Sequence, residues 1–597
     1  MADIIFVNPY AHNLYEYSIG VLRLVSVLEM NKYDCEIFDI KYYLMLNNKN
    51  NNTFKEYIDD IIQYLLSKKP KIIGFSCMSN NYHFILKLAK EIKMIDENIK
   101  IMLGGPQATI TAEQTIKRFK YIDMISLGEG ENCIVNQIDF LLNTRTSDEV
   151  ESAIFYDGNK LIKKNNINLI ENLDSLPLLE YHKIPYFENI DIISIETGRG
   201  CPFSCIFCST KSFWKQKARL RSIDSLVKEI KFLKNTYGKS NFTFIHDLFT
   251  VRKSFILDFC NRLIEENLKI SWSCSSRIDT IDEEMLYVMN KSGCRDIFFG
   301  VETGSERIQK LINKNLKLET LEKLLVSLRK YGFKNSTFSF IYSFPFETED
   351  DICKTLKMIW IIMNKYDFNI HLGKCNILVG TQLYNDYKDN IEFTGTFSMI
   401  SDDIFLNDCI DIIKENKDIF PQYYNFNTPF HQKYDLLEKF FMFYTTCKKS
   451  FKGTYLLLNA YFENDILKFY ESFVKYEETF IRNFFNVIYI TEKKLEIKEN
   501  NYKTLKIIAD FLKNYINKYI NEKYKILISD MIQYEYLLCD IYTQNVDFQE
   551  IILFDFDVSA IRRNFNFIQS LDEISEKRNK ITLIKTKENI KIKKKYI

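Results

Sequence analysis

The residues best placed to do chemistry lie in one short stretch, Glu196-Thr-Gly-Arg-Gly-Cys201-Pro-Phe-Ser-Cys205-Ile-Phe-Cys208. Three cysteines stand at a C-x3-C-x2-C spacing, directly after the apolar run Ile192-Ile193-Ser194-Ile195. A strand ending in a Gly-rich loop would set all three thiols at the open edge of a sheet. Three thiolates in one loop can hold three irons of a cubane cluster and leave the fourth iron open to a substrate or second cofactor. Spacing alone leaves two other readings open. Cys205-x-x-Cys208 can be a redox dithiol, which leaves Cys201 unexplained. It can also be half of a zinc site, although no further Cys or His follows within the usual few residues.

The run Arg199-Gly200-Cys201-Pro202-Phe203-Ser204-Cys205-Ile206-Phe207-Cys208 resembles the cluster loop of the radical S-adenosylmethionine (SAM) enzymes. More narrowly, it resembles the branch that carries an N-terminal cobalamin-binding domain. The resemblance implies a [4Fe-4S] cluster on Cys201, Cys205 and Cys208, whose open iron chelates the amino and carboxylate groups of SAM. An electron from the reduced cluster would then split the sulfonium and release a 5′-deoxyadenosyl radical. Phe207 matches the aromatic the family carries between the last two cysteines, and is implied to lie on the cofactor.

A chain of 597 residues is too long for one core and implies three or four domains. Hydrophobic content of 46% and charged content of 27% suit a soluble globular protein. With 80 basic and 79 acidic residues, no bulk charge draws the chain to nucleic acid or membrane. The run Lys593-Lys594-Lys595 reads as a solvated tail. The 14 cysteines are scattered apart from the one cluster, unlike a secreted disulfide framework. No signal peptide or membrane-length apolar run is evident, so a cytoplasmic, reducing location is expected.

Residues 1–140 alternate short apolar runs with helical patterns. Ile4–Val7, Cys35–Ile40, Ile72–Cys77, Lys100–Leu103 and Met124–Leu127 read as strands, with helices over Gly20–Met30, Thr53–Leu66 and Tyr82–Met94. Such alternation predicts an α/β, doubly wound (Rossmann-like) parallel sheet that binds ligands at its strand carboxyl ends. Leu103-Gly104-Gly105-Pro106 and Leu127-Gly128-Glu129-Gly130-Glu131 resemble the strand ends of the family's cobalamin-binding domains. The resemblance implies Ser76, Ser79, Gly104, Gly105, Gly128 and Glu129 as cobalamin contacts. The Asp-x-His-x-x-Gly motif that supplies a cobalt ligand in many cobalamin proteins is absent. His12 lacks that context, so cobalamin is expected without a protein histidine on cobalt, and the fold can also persist without the cofactor.

Residues 141–190 read as a connector, with a small hairpin turning at Asp157-Gly158. Residues 191–385 carry strand candidates Phe242–Ile245, Ile270–Cys274, Asp296–Gly300 and Thr337–Ile341, separated by helical segments. One helix is capped by Ser222, and another, Leu318–Arg329, stops at Gly332. Roughly six strand–helix units predict a partial (β/α)6 barrel of the TIM type, with reacting groups at the strand carboxyl ends. Phe299-Gly300-Val301-Glu302-Thr303-Gly304-Ser305 resembles the family's SAM-ribose strand, which implies that Glu302 binds the ribose hydroxyls. A carboxylate at a helix N-terminus beside Ser305 is the structural alternative. Arg277 can fork onto the SAM carboxylate or form a structural ion pair. His246-Asp247 stands where the family often has two acids. Ser343 and Phe346 stand where relatives usually have glycines, and Phe346 can narrow the approach to adenine or pack beneath it.

Residues 386–597 are rich in Tyr, Phe, Lys and Asn and read as mainly helical, with a strand-like stretch at Ile551–Val558. The aromatic residues are expected in the core. The resemblance hardly touches this part. The whole implies a cobalamin-dependent radical SAM enzyme that methylates an unactivated carbon of a small-molecule or peptide substrate, reduced by a flavodoxin or ferredoxin. Cyclisation or rearrangement by the same architecture, a non-enzymatic cobalamin or SAM sensor, and a zinc-stabilised scaffold are the alternatives.

Overall fold

The computed structural model describes residues 3–8, 17–46, 53–165, 167–395, 406–475, 497–543, 548–554, 579–585 and 590–596. It divides into two compact units, residues 1–352 with 362–432, and residues 353–361 with 433–597.

In the first unit, β1 (Ile4–Asn8), β2 (Cys35–Asp39), β3 (Ile72–Ser76), β4 (Lys100–Gly104) and β5 (Met124–Ser126) form a parallel sheet in the order β2-β1-β3-β4-β5. Every residue of β1 is buried, because a parallel sheet covered on both faces needs a continuous apolar run. Alternation then sorts the side chains. Ile5 and Val7 join one core with the helices Phe54–Ser67 and Tyr82–Ile95. Ile4 and Phe6 join the other, with helix Ile19–Met30. The expected hairpin is present as β6 (Ala153–Asp157) and β7 (Lys160–Lys164), with Asp157 opposite Lys160, so Gly158 and Asn159 form its loop. It adds antiparallel to β5 as an extension of the sheet, not as a free connector.

The second sheet is β8 (Ile193–Glu196), β11 (Asn241–Ile245), β12 (Ser271–Ser276), β13 (Cys294–Glu302), β14 (Thr337–Tyr342) and β15 (Asn369–Lys374), parallel throughout. Between β8 and β11 lie two short strands, β9 (Gly198–Arg199) and β10 (Arg219–Leu220). The helix Ile223–Tyr237 begins where Ser222 accepts from Ser225 N and ends at Gly238 in the left-handed region. β15 has no apolar run and was not foreseen. Beyond the expected boundary at 385, β16 (Ile391–Phe393) pairs with β17 (Tyr424–Phe426), and Ile413, Phe420 and Tyr423 enter the first unit's core. That is why this unit continues to Gln432.

The second unit is mainly helical, with helices Leu437–Ser450, Lys452–Tyr461, Ile466–Val474, Ile497–Tyr519 and Glu522–Thr543. Its aromatic residues pack on one another, as in Phe440 on Phe469 at 5.2 Å and Phe443 on Phe511 at 5.1 Å between ring centroids. The strand β18 (Phe548–Phe554) falls on the expected stretch, whose residues 555–558 lie outside those described. It pairs with β19 (Asn579–Lys585), and β19 with β20 (Ile590–Tyr596). The lysine run expected as a tail is therefore part of a strand. Among the described residues no helix is long and apolar enough to cross a membrane.

Candidate functional site

The thiol loop leaves the carboxyl end of β8 through β9, which pairs antiparallel with β10. Gly200 has φ +85°, and a Cβ there would stand 2.1 Å from the Lys217 carbonyl oxygen, so only glycine makes this turn. Cys201, Cys205 and Cys208 follow, all partly exposed and free. Backbone bonds pin the loop: Ile206 N donates to Ile312 O at 3.1 Å, and Leu383 N donates to Ile206 O at 3.0 Å. Asn313 Nδ2 donates to the Ser204 carbonyl at 3.1 Å and to its hydroxyl at 2.8 Å.

Burial pushes the Cys201 and Cys205 thiols up, and the charge of the neighbouring loop thiols adds to it. For Cys205, the Lys314 ammonium and Arg277 guanidinium pull the other way. Free thiols that feel one another's charge, with cations at hand, suit the deprotonated donors of an iron–sulfur cluster. Among the described residues no group of three His, Cys, Asp or Glu side chains is arranged around a single metal ion. Cluster ligands each bond a different iron and need not meet at one point.

Glu302 ends β13 at φ +72°, where the register with β14 shifts. Its carboxylate accepts from Lys314 Nζ at 2.6 Å, both side chains being less than a tenth exposed. Lys314 was not foreseen; it sits outside any strand end, between Asn313 and Asn315 at positive φ. For Arg277 the structural ion pair is the one formed. Its Nε and Nη2 donate to Asp279 at 2.8 Å each, Nη2 also meets the Lys314 carbonyl at 2.9 Å, and the guanidinium lies 3.7 Å over the Phe203 ring. Phe207 packs against Phe344 at 5.9 Å. Phe346 stacks on Phe344 and leans on Tyr387, so it packs within the loop wall. Ser343, at φ +68°, shares a 2.6 Å hydrogen bond with His431 Nδ1. Glu347, whose Oε2 accepts from Ser343 N and Phe344 N, is pushed up to about 8 by burial.

A cavity of about 410 Å³ opens at the carboxyl ends of the first sheet. Ser76, Gly104, Gly105, Gly128 and Glu129 all line it, opposite Phe213, Trp214 and Ile245. Gly105, at φ +94°, would put a Cβ 2.9 Å from the Cys77 carbonyl oxygen. Ser79 is not among the lining residues; its carbonyl accepts from Gln422 Nε2 at 2.7 Å. His12 lies outside the described residues.

Glu129, which lines this cavity, is also the centre of a buried ion-pair network. Its carboxylate accepts from Arg199 Nη1 at 2.7 Å, Arg219 Nη1 at 2.7 Å and Ile170 N at 2.6 Å. Arg199 also donates to Glu131 at 2.5 Å and to Glu196 at 2.8 Å. Against the cost of burial, the Arg199 guanidinium holds the Glu196 carboxyl below its ordinary range. Nothing local in the sequence marks this role of Arg199, because its three partners lie in two separate segments.

Residues 195–359 match the family model described as the Radical SAM superfamily, and residues 13–136 match the B12 binding domain. An uncharacterized methyltransferase of Pyrococcus horikoshii is 30% identical over 302 residues, 50% of this chain and 66% of that protein. The anaerobic magnesium-protoporphyrin IX monomethyl ester cyclase of Rubrivivax gelatinosus is 26% identical over 312 residues, 50% of this chain and 56% of that protein. The chain thus spans less than two thirds of the length of each. The cobalamin-dependent S-adenosylmethionine radical enzyme OxsB, solved with aqua-cobalamin, superimposes with a TM-score of 0.55 at 15% identity, over 96% of this chain and 82% of that one. That likeness is one of fold. The radical SAM match falls on the second sheet and the B12-binding match on the parallel strands of the first, so the chain carries a radical SAM domain preceded by a B12-binding domain.

Proposed function

We propose that the chain is a cobalamin-dependent radical SAM enzyme that methylates an unactivated carbon. The observation that carries this is the Arg199 bridge: two residues before Cys201, its guanidinium closes on Glu129 and Glu131 of the B12-side strand-end loop. Thiol loop and cavity are thereby held as one site.

When bound, the cluster with SAM supplies hydrogen-atom abstraction, and the corrinoid supplies a transferable methyl group. The chain's own residues do the rest. Cys201, Cys205 and Cys208 hold the cluster. Glu302, fixed by Lys314, presents its remaining acceptor capacity to the ribose hydroxyls. Gly104, Gly105 and Gly128 let backbone approach the corrinoid closely, and Phe213 and Trp214 shield the cavity from water. Arg277 acts indirectly, through Phe203 and the Lys314 carbonyl. The reading extends to a small-molecule or peptide substrate and a flavodoxin or ferredoxin donor.

Similarity to a methyltransferase supports methyl transfer. Similarity to a cyclase favours, as the second reading, ring formation on the same cofactors. The test begins with iron, sulfide and cobalt content after anaerobic purification from cells given cobalamin. About four irons and about one cobalt per chain are expected, with deoxyadenosine formed from SAM on reduction. A product heavier by one CH2 unit supports methylation, and no mass gain supports the cyclase reading. Absence of iron would overturn both.

A further inference from the structure

We propose that the Thr210 hydroxyl positions and tunes the Cys208 sulfur, and that Asp247 competes for that hydroxyl's single proton. This rests on the assignment of Cys208 as a cluster ligand. Thr210 opens the short helix Thr210–Trp214, and its Oγ1 lies 3.1 Å from Cys208 Sγ. The same oxygen lies 3.4 Å from Asp247 Oδ1. Asp247 Oδ2 accepts from Gly200 N at 2.8 Å. Asp247 therefore reaches both ends of the cysteine loop, the amide before Cys201 and the hydroxyl after Cys208.

The proton count decides what happens on cluster binding. In the metal-free chain the Cys208 S–H donates to Thr210, whose own O–H is left for Asp247. A cluster ligand is a thiolate, so the S–H proton is gone and one hydroxyl proton faces two anions. The sulfur at 3.1 Å is well within reach of that proton, whereas Asp247 Oδ1 at 3.4 Å is at the far limit for O–H···O, so the proton is assigned to the sulfur. A hydrogen bond donated to a ligand sulfur offsets negative charge and favours the reduced cluster, which raises its potential. The Asp247 carboxylate opposes this twice, by drawing on the same proton and by its charge. Burial holds the neighbouring His246 below the ordinary imidazole range, although the Asp247 charge pulls the other way.

The test is a redox titration of the reconstituted protein, followed by electron paramagnetic resonance with no substrate present. Wild type is compared with Thr210→Val, Thr210→Ser and Asp247→Asn. At the potential where wild type is half reduced, Thr210→Val should lower the ratio of reduced to oxidised cluster by about three- to tenfold, a tenfold change being about 59 mV for one electron. Thr210→Ser should restore the wild-type midpoint. Asp247→Asn should shift it the opposite way, because the amide still accepts from Gly200 N and now donates to Thr210 Oγ1. An intact cluster with an unchanged midpoint in Thr210→Val overturns the proposal. If that variant does not retain its cluster, Asp247→Asn decides: an unchanged or lowered midpoint overturns it. A wild type that binds no iron sinks the cluster assignment and this proposal together, whereas a full cluster with equal midpoints sinks the proposal alone.

Discussion

The guanidinium of Arg199 meets the carboxylate of Glu129 at 2.7 Å, with the Arg199 side chain 6% and the Glu129 side chain 1% exposed. The two residues are 70 positions apart. One belongs to the thiol loop and the other to a strand-end loop of the first sheet, so the contact sets the position of one cofactor loop against the other. Glu129, Glu131 and Glu196 face Arg199, Arg219 and Arg23, which keeps the buried charges near balance.

Arg199→Ala should therefore destabilise the protein strongly. It leaves buried carboxylates without their counter-charge, a loss of about 3–5 kcal/mol for a broken buried pair. Denaturant unfolding of the apoprotein measures it. A loss below about 1 kcal/mol would show that the network contributes little. Arg199→Lys should fall between, since one ammonium cannot fork onto several carboxylates.

Replacing Cys201, Cys205 or Cys208 by Ala should each abolish deoxyadenosine formation and lower the iron bound per chain. Iron assay and product chromatography check this. Retained SAM cleavage in any one variant would remove that cysteine from the ligand set.

Lys314→Met should raise the Cys205 thiol further, because the ammonium that pulls it down is gone. Glu302→Gln removes a nearby negative charge and should lower it. Alkylation rates of Cys205 in the apoprotein, followed by peptide mass spectrometry across pH, should slow at neutral pH in the first variant and quicken in the second. Equal rates would place the Lys314 charge too far away to matter.

Glu347 gives a pH signature. Its folded value is raised from 4.5 to about 8 by burial. Below about pH 4.5 the carboxyl is protonated whether folded or unfolded, and the buried acid is at no disadvantage. As pH rises the unfolded state releases the proton first, so this contribution to stability falls until about pH 8 and is then flat. The unfolding free energy of wild type relative to Glu347→Gln should decline across that window. A constant difference would mean that the carboxyl titrates normally. Asp351, held very low by Arg307, Ser305 and Thr348 against the cost of its burial, acts with the opposite sign and in a more acidic window.

Much of this was legible in the chain because it is local. The continuous apolar run from Ile4 to Val7 and the Ser222 cap specify a strand and a helix through neighbours alone. The C-x3-C-x2-C loop and the glycines at 105 and 128 mark a thiol site and tight strand-end turns in the same way. β15 was not legible, since Ile370 and Leu372 are the only two large apolar side chains in Asn369-Ile-His-Leu-Gly-Lys, too few to mark a strand until β14 pairs with it. Nor was the extension of the first unit to Gln432, which depends on Ile391–Phe393 finding Tyr424–Phe426.

Charge partners belong to the tertiary structure for the same reason. Sequence by itself determined which residues could carry chemistry: three cysteines, Glu302, Arg277 and the strand-end glycines. Only the fold decided that Arg277 is taken by Asp279, that Lys314 fixes Glu302, and that Glu129 serves Arg199. A side chain's type limits what it can bind, whereas its partner is set by which distant segments the two sheets bring within hydrogen-bond reach.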